Sequence, residues 1–177
     1  MAFMFPKLIH SQAEEVTPHL YRGQDPKVAQ IYELHDKGIK TIISLRTNPE
    51  LKKQRLCENL GMKWVQIKTG IFRTPSPAQF DQFRALVNNP SNWPCYTSCE
   101  IDMDRTGVYI AAYRMVDQHR TEAQMDDEFR AHHQKTWWPI FRKYSRLVAT
   151  YAKSRSNQEL QTASASDSSP SSSERSP

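Results

Sequence analysis

The chain has 177 residues, enough for one domain with an appendage and short for two full domains. Hydrophobic residues make up 38% of it and the mean hydropathy is −0.73; no run of about 18 apolar residues exists, so no helix is expected to span a bilayer. The 24 Lys and Arg exceed the 19 Asp and Glu by five, an excess that favours an anionic partner such as phosphate, nucleic acid or an acidic lipid surface.

Neither composition nor charge is evenly spread. From Ser154 onward there are ten serines and almost nothing large and apolar, which predicts a disordered tail at 154–177 behind a domain at 1–153. That tail takes two basic and three acidic residues, leaving the body with 22 against 16. A body of about 150 residues buries roughly 70% of its unfolded surface in one core. At the other end, Met1-Ala-Phe-Met-Phe5 precedes Pro6 and Lys7, without the basic-then-apolar order of a secretory signal. Three cysteines, Cys57, Cys95 and Cys99, read as reduced thiols in a cytoplasmic protein. No metal is expected, because Cys95 and Cys99 lack a second Cys or His pair at ligand spacing.

In chain order, His19-Leu-Tyr-Arg-Gly23 reads as an extended segment. Pro26 opens a helix capped by Asp25 that runs through Val28, Ile31 and Leu34 to Gly38. Lys40-Thr-Ile-Ile-Ser-Leu45 is a β-branched strand. Pro49 to Leu60 forms a helix ended by Gly61, and Lys63 to Ile67 the next strand. Ser76-Pro77 starts a helix with Phe80, Phe83 and Val87 on one face. Tyr96 to Ser98 is the last strand, and helices follow over Thr106–Gln118, Thr121–Ala131 and Trp137–Tyr151. This alternation predicts a three-layer α/β sandwich with a largely parallel central sheet. The last helix is amphipathic, with Ile140, Phe141, Tyr144, Leu147, Val148 and Tyr151 together. Seven Lys and Arg and no acid lie between Phe129 and Arg155; they form either an anion-binding surface or a solvated face balancing Asp126, Asp127 and Glu128.

Chemistry concentrates in Cys95-Tyr-Thr-Ser-Cys99-Glu-Ile-Asp-Met-Asp-Arg105-Thr-Gly-Val108. A cysteine at a strand end, a loop of five residues and then Arg-Thr-Gly opening an apolar helix outline an anion site. Backbone N–H groups of Glu100, Ile101, Asp102, Met103 and Asp104 and the helix N-terminus would converge on a phosphate. Arg105 would grip two phosphate oxygens. The same positive field favours a thiolate at Cys99 for in-line attack on phosphorus. Thr106 would donate a hydrogen bond to that sulfur when it becomes the leaving group.

These residues resemble the cysteine-dependent tyrosine and dual-specificity phosphatases, most of all the small atypical and bacterial-type group. The resemblance runs from about Val16 to Tyr151. It is carried by Leu20-Tyr-Arg-Gly-Gln24, Gly38 to Arg46, Gly61-Met-Lys-Trp-Val65, Pro75 to Phe80, Asn89 to Pro94, and Asp104-Arg-Thr-Gly107 followed by Ala112-Tyr-Arg114. It implies a protein-tyrosine-phosphatase-like fold, Cys99 as nucleophile, Arg105 as phosphate binder and Thr106 as assistant in breaking the phosphocysteine. It implies no organic or metal cofactor, and a phosphorylated protein or a phosphorylated lipid or inositol as substrate rather than nucleic acid. Composition leaves the oligomeric state open.

Three positions depart from that pattern. Ser98 stands where the family has a histidine that orders the loop. Asp102 stands where it has a glycine that lets the backbone approach the ligand. A carboxylate ~6 Å from phosphate at an effective dielectric of about 20 opposes binding by ~3 kcal/mol. The loop Lys68-Thr-Gly-Ile-Phe-Arg-Thr74 lacks the aspartate that protonates the leaving oxygen, a loss of about 10²–10⁴ in rate. Asp102 or Asp104 is the possible substitute acid, and Asp81 in the following helix reads as a surface residue. Cys95 or Cys57 would either pair with Cys99 under oxidation or stay as buried thiols. His132-His133 point apart on a helix and suggest no metal, and Trp137-Trp138 pack the last helix. An active phosphomonoesterase, if a slow one, and a pseudophosphatase that binds phosphorylated partners with little or no turnover are the two functional expectations. A sulfur-transfer or arsenate-reducing enzyme is disfavoured by the Arg-Thr-Gly helix start.

Overall fold

Residues 13–70, 73–100, 104–132 and 138–167 are described in the computed structural model of the chain. Five short strands form the sheet, β1 (Glu14–Thr17), β2 (Leu20–Gln24), β3 (Thr41–Ser44), β4 (Lys63–Gln66) and β5 (Cys95–Cys99). Helical periodicity gives α1 (Val28–Asp36), α2 (Leu51–Asn59), α3 (Pro77–Val87), α4 (Asp104–Asp117), α5 (Glu122–His132) and α6 (Trp138–Asp167). The strands lie in the order β1-β2-β5-β3-β4. Only β1 is antiparallel to its neighbour, and the other pairings are parallel.

Strand alternation sends the sheet's apolar residues to two cores. On one face Ile43, Leu45, Cys95 and Cys99 meet Phe80 and Phe83 of α3, Val108 and Ala112 of α4, Met125 of α5 and Val148 of α6. On the other, Ile42 and Tyr96 meet Ile31 and Leu34 of α1 and Cys57 of α2. The expected three-layer α/β/α sandwich is therefore the observed architecture. The Phe80 and Phe83 rings set their edges against Tyr109 at centroid distances of 5.2 and 5.4 Å, and burying each phenyl contributes about 1.5–3 kcal/mol.

Local signals set the boundaries. Ser76 Oγ accepts from the Gln79 amide at 3.3 Å while the Ser76 amide donates to Gln79 Oε1 at 2.8 Å, with Pro77 in the first helical turn. Gly38 and Gly61 end α1 and α2 at φ +84° and +73°, the left-handed region that glycine enters without a Cβ penalty.

Three expectations need correction. Asp25 does not cap α1, whose N-cap is Lys27; its carboxylate instead accepts from Arg46 Nη1 at 2.5 Å and Lys53 Nζ at 2.6 Å. Strand β1 has no apolar alternation to announce it and exists by pairing with β2. Helix α6 continues past the 153/154 boundary to Asp167. Arg155, paired with Asp81 and lying over the Tyr151 ring, carries the helix beyond the core. The hydroxyls of Ser156 and Thr162 bond back to the carbonyls of Ala152 and Gln158, so these polar residues are accommodated in an exposed helix. The expected tail beyond Asp167 lies outside the described residues.

Candidate active site

β5 is last in sequence among the strands yet lies between β2 and β3, where Ser98 is paired with Gly23 on one side and Ser44 on the other. Chain connections leave in opposite directions from this point, and such a switch opens a crevice at the carboxyl ends of the strands. Cys99 ends β5 there with 2% of its surface exposed. The Leu45 amide donates to the Ser98 carbonyl at 2.9 Å, and Tyr96 Oη donates to the Gln24 carbonyl at 2.7 Å, so strand ends on both sides hold β5 in place.

Arg105 and Thr106 stand in the first turn of α4. Arg105 is 8% exposed, and its Nη1 donates to the carbonyls of Leu45 and Thr69, both at 3.2 Å. These acceptors come from the loops after β3 and β4, so the guanidinium is oriented by the sheet rather than by its own helix. Thr47 Oγ1 donates to the same Thr69 carbonyl at 2.9 Å, and Thr69 Oγ1 shares a 2.8 Å hydrogen bond with Tyr109 Oη. Burial pushes the Tyr109 hydroxyl up to about 12 despite that bond, so it stays protonated. Nε and Nη2 of Arg105 make no hydrogen bond among the described residues, which leaves a fork able to take two oxygens of one anion. Thr106 Oγ1 is buried with no partner among the described residues, a donor left free for a neighbouring acceptor.

A second charged group lies at the same edge. Arg46 Nη1 reaches Asp25 and also Glu50 Oε1 at 3.3 Å, and Lys53 Nζ lies 2.8 Å from Glu50 Oε1. Burial, the largest influence, lowers the Arg46 guanidinium. The Asp25 hydrogen bond and the charges of Asp25, Glu50 and Glu100 outweigh it and hold the group above its usual value. Glu100 follows Cys99, is 55% exposed at its side chain, and places Oε2 3.8 Å from Arg105 Nη2.

Of the site residues expected from sequence, Cys99, Glu100, Arg105 and Thr106 gather at this edge. Ile101, Asp102 and Met103 lie outside the described residues, as does the side chain of Asp104, which opens α4. Ser98 Oγ is buried without a partner among the described residues, so there it does not take up the loop-ordering bonds of a histidine. Asp81 is more than a surface residue: it accepts from Tyr151 Oη at 2.6 Å and pairs with Arg155, which fixes α3 to α6 and occupies the carboxylate. Sequence reading missed the Leu45 and Thr69 carbonyls that aim Arg105, because backbone acceptors leave no residue-type signal.

The other candidates separate from the site. All three cysteines are free. Cys95 lies four residues up the same strand from Cys99, about 13 Å by strand rise and too far to bridge. Cys57 belongs to the core on the other face of the sheet. Burial pushes the Cys95 thiol up to about 12 and the Cys57 thiol to about 11, so neither competes as a nucleophile. The basic stretch before Arg155 is partly neutralised by ion pairs: Arg130 with Asp127, Lys153 with Glu122 and Arg155 with Asp81. His133 and Trp137, and the side chains of His132 and Trp138, lie outside the described residues. A groove of about 320 Å³ between α4, α5 and α6, bordered by Met115, Met125, Ser145 and Val148, contains none of the Cys99–Arg105 residues. No helix among the described residues is long and apolar enough to cross a membrane.

A cysteine ending the central parallel strand and an arginine in the next helical turn define the class of cysteine-dependent phosphatases. Within that class the chain belongs to the family described as DSP-PTPase phosphatase fused to NAD+ kinase, whose model matches residues 7–168. Membership makes it a cysteine-dependent phosphatase and favours turnover over a pocket that only binds. No curated protein matches the sequence. Solved structures share the fold at low identity. The core catalytic domain of the PP-IP phosphatase Siw14 from S. cerevisiae, in complex with citrate, is 18% identical with a TM-score of 0.73, covering 86% of this chain and 92% of that one. P. aeruginosa TpbA in a cysteine-to-serine form in complex with pTyr is 19% identical, TM-score 0.64, covering 80% and 88%. Tk-PTP in the active form is 13% identical, TM-score 0.66, covering 83% and 99%.

Proposed function

We propose that the chain hydrolyses phosphomonoesters through a phosphocysteine at Cys99, with Arg105 binding the phosphate. The carrying observation is the buried Arg105 guanidinium, pinned through Nη1 by two carbonyls, while Nε and Nη2 make no hydrogen bond among the described residues and Nη2 faces Glu100 at 3.8 Å. The Cys99 sulfur forms a bond to phosphorus as the ester P–O bond breaks, and the leaving oxygen departs with that electron pair. Water then attacks the phosphocysteine, releasing inorganic phosphate and restoring the thiolate. Thr106 Oγ1, without a partner among the described residues, donates to the departing sulfur. Asp102 or Asp104 substitutes as the acid that the loop after β4 lacks.

A phosphorylated protein or a phosphorylated lipid or inositol is the substrate. Siw14 is a PP-IP phosphatase and TpbA was captured with pTyr, and both leaving groups are less basic than an alkoxide. Incubation with an activated aryl phosphate, acid quenching and peptide mass spectrometry should find phosphate on Cys99, and Cys99→Ser should abolish turnover. Hydrolysis that survives Cys99→Ser refutes the assignment.

A further inference from the structure

Glu100 carries a negative charge to the sheet edge where Arg105 is held. Its carboxylate lies 3.8 Å from Arg105 Nη2, on the part of the guanidinium not engaged by Leu45 and Thr69. Just over half of the side chain is exposed, so it rotates without disturbing the core. Arg46 feels the same carboxylate, so a rotated Glu100 has a second cation to face. A substrate phosphate seated on the Arg105 fork needs Nη2, and both anions cannot pair closely with one nitrogen edge.

We infer that Glu100 is an internal competitor for Arg105, one that yields Nη2 to the phosphate and swings toward Arg46. The inference rests on Arg105 being the phosphate binder, and it adds a residue that sets how tightly substrate and product are held. Glu100 weakens substrate phosphate and released inorganic phosphate alike, and so limits product inhibition. It touches no reacting atom and tunes phosphate affinity rather than catalysing the reaction.

The test uses the full chain in two forms, Cys99→Ser and Cys99→Ser with Glu100→Gln, titrated calorimetrically with inorganic phosphate. Glutamine keeps the shape and removes the charge. The second form should bind about two- to fivefold more tightly, the range open to one partly exposed charge. The gain should shrink as NaCl rises from about 0.05 to about 0.5 M, which a purely structural effect would not do. With Cys99 intact, Glu100→Gln should lower KM and the inhibition constant of inorganic phosphate by the same factor, with unchanged thermal melting. Glu100→Asp keeps the charge on a shorter arm and should fall between. Equal affinity in both serine forms leaves Arg105 as the binder and overturns the role of Glu100. No phosphate binding in either form, together with an inactive parent chain, overturns the assignment of Arg105 itself and this inference with it.

Discussion

Arg105→Lys separates the geometry of the site from its charge. The lysine ammonium keeps one positive charge but is a point donor on a flexible stem, without the planar fork. The arginine uses Nη1 for two carbonyls at 3.2 Å and presents Nε and Nη2 elsewhere. One ammonium cannot satisfy Leu45, Thr69 and two phosphate oxygens in those directions. Loss of an oriented donor to developing phosphate charge costs roughly 3–4 kcal/mol in the transition state, so kcat/KM should fall about 10²–10³-fold. Leaving one buried carbonyl without its donor costs a further ~1–2 kcal/mol of folding stability. Hydrolysis of p-nitrophenyl phosphate measures the first and urea denaturation the second. A lysine variant that keeps a third or more of the parent kcat/KM would refute the claim that a forked guanidinium holds the phosphate.

Two further outcomes test the scaffold. Glu128 lies 4.0 Å from the buried Arg22 and accepts from Arg114 Nη1 at 2.5 Å; Glu128→Ala removes a carboxylate shared by two guanidiniums and should cost about 2–3 kcal/mol in a urea titration, while a loss below about 1 kcal/mol would show that α5 is held otherwise. Cys95 and Cys57 stand at about 12 and about 11 in the folded chain against an ordinary 9.0, so unfolding releases their protons above pH 9 and the folded state retains them. Their contribution is fully present below pH 9 and is lost as pH rises through 11 to 12, on the order of 7 kcal/mol in all. Cys95→Ala should flatten that alkaline decline in denaturant midpoint, and an unchanged slope would place its origin elsewhere.

The fold was readable where one residue type does one physical job. Ser76 and Pro77 start α3, Gly38 and Gly61 stop α1 and α2, and the β-branched run at Thr41–Ser44 makes β3. It was not readable where partners come from distant segments. Asp25 has the composition of a helix cap, yet Arg46 and Lys53, brought near by the β3–α2 connection, hold its carboxylate more strongly than a backbone amide would. The serines after Ser154 suggested disorder because their hydroxyls compete with helical bonds in water; in α6, Ser156 meets that demand by bonding to the Ala152 carbonyl. At the site, Cys99, Arg105 and Thr106 were marked by spacing. The Leu45 and Thr69 carbonyls that aim the arginine depend on the parallel pairing of β3 with both β4 and β5, which local sequence does not encode.

That pairing also changes the meaning of the basic excess. Arg84 is bound to Asp117, Arg114 to Glu128, Arg155 to Asp81, and Arg46 and Lys53 to Asp25 and Glu50, so much of the positive charge is neutralised within the chain. At the carboxyl edge of the sheet, the loop after β4 keeps Lys68 and Arg73 exposed, with no carboxylate partner among the described residues. This is the segment where the family resemblance leads one to expect an acid. Under the proposed mechanism this loop attracts an anion but has no carboxyl proton to give, so the acid role is assigned to Asp102 or Asp104. Attraction acts on every phosphorylated molecule alike, whereas protonation matters only for a basic leaving group. On the proposed mechanism, selection among substrates therefore passes from the mouth of the site to the leaving group. The kcat/KM should be high for p-nitrophenyl phosphate and at least about 10²-fold lower for phosphoserine, and equal values for the two would refute the reasoning.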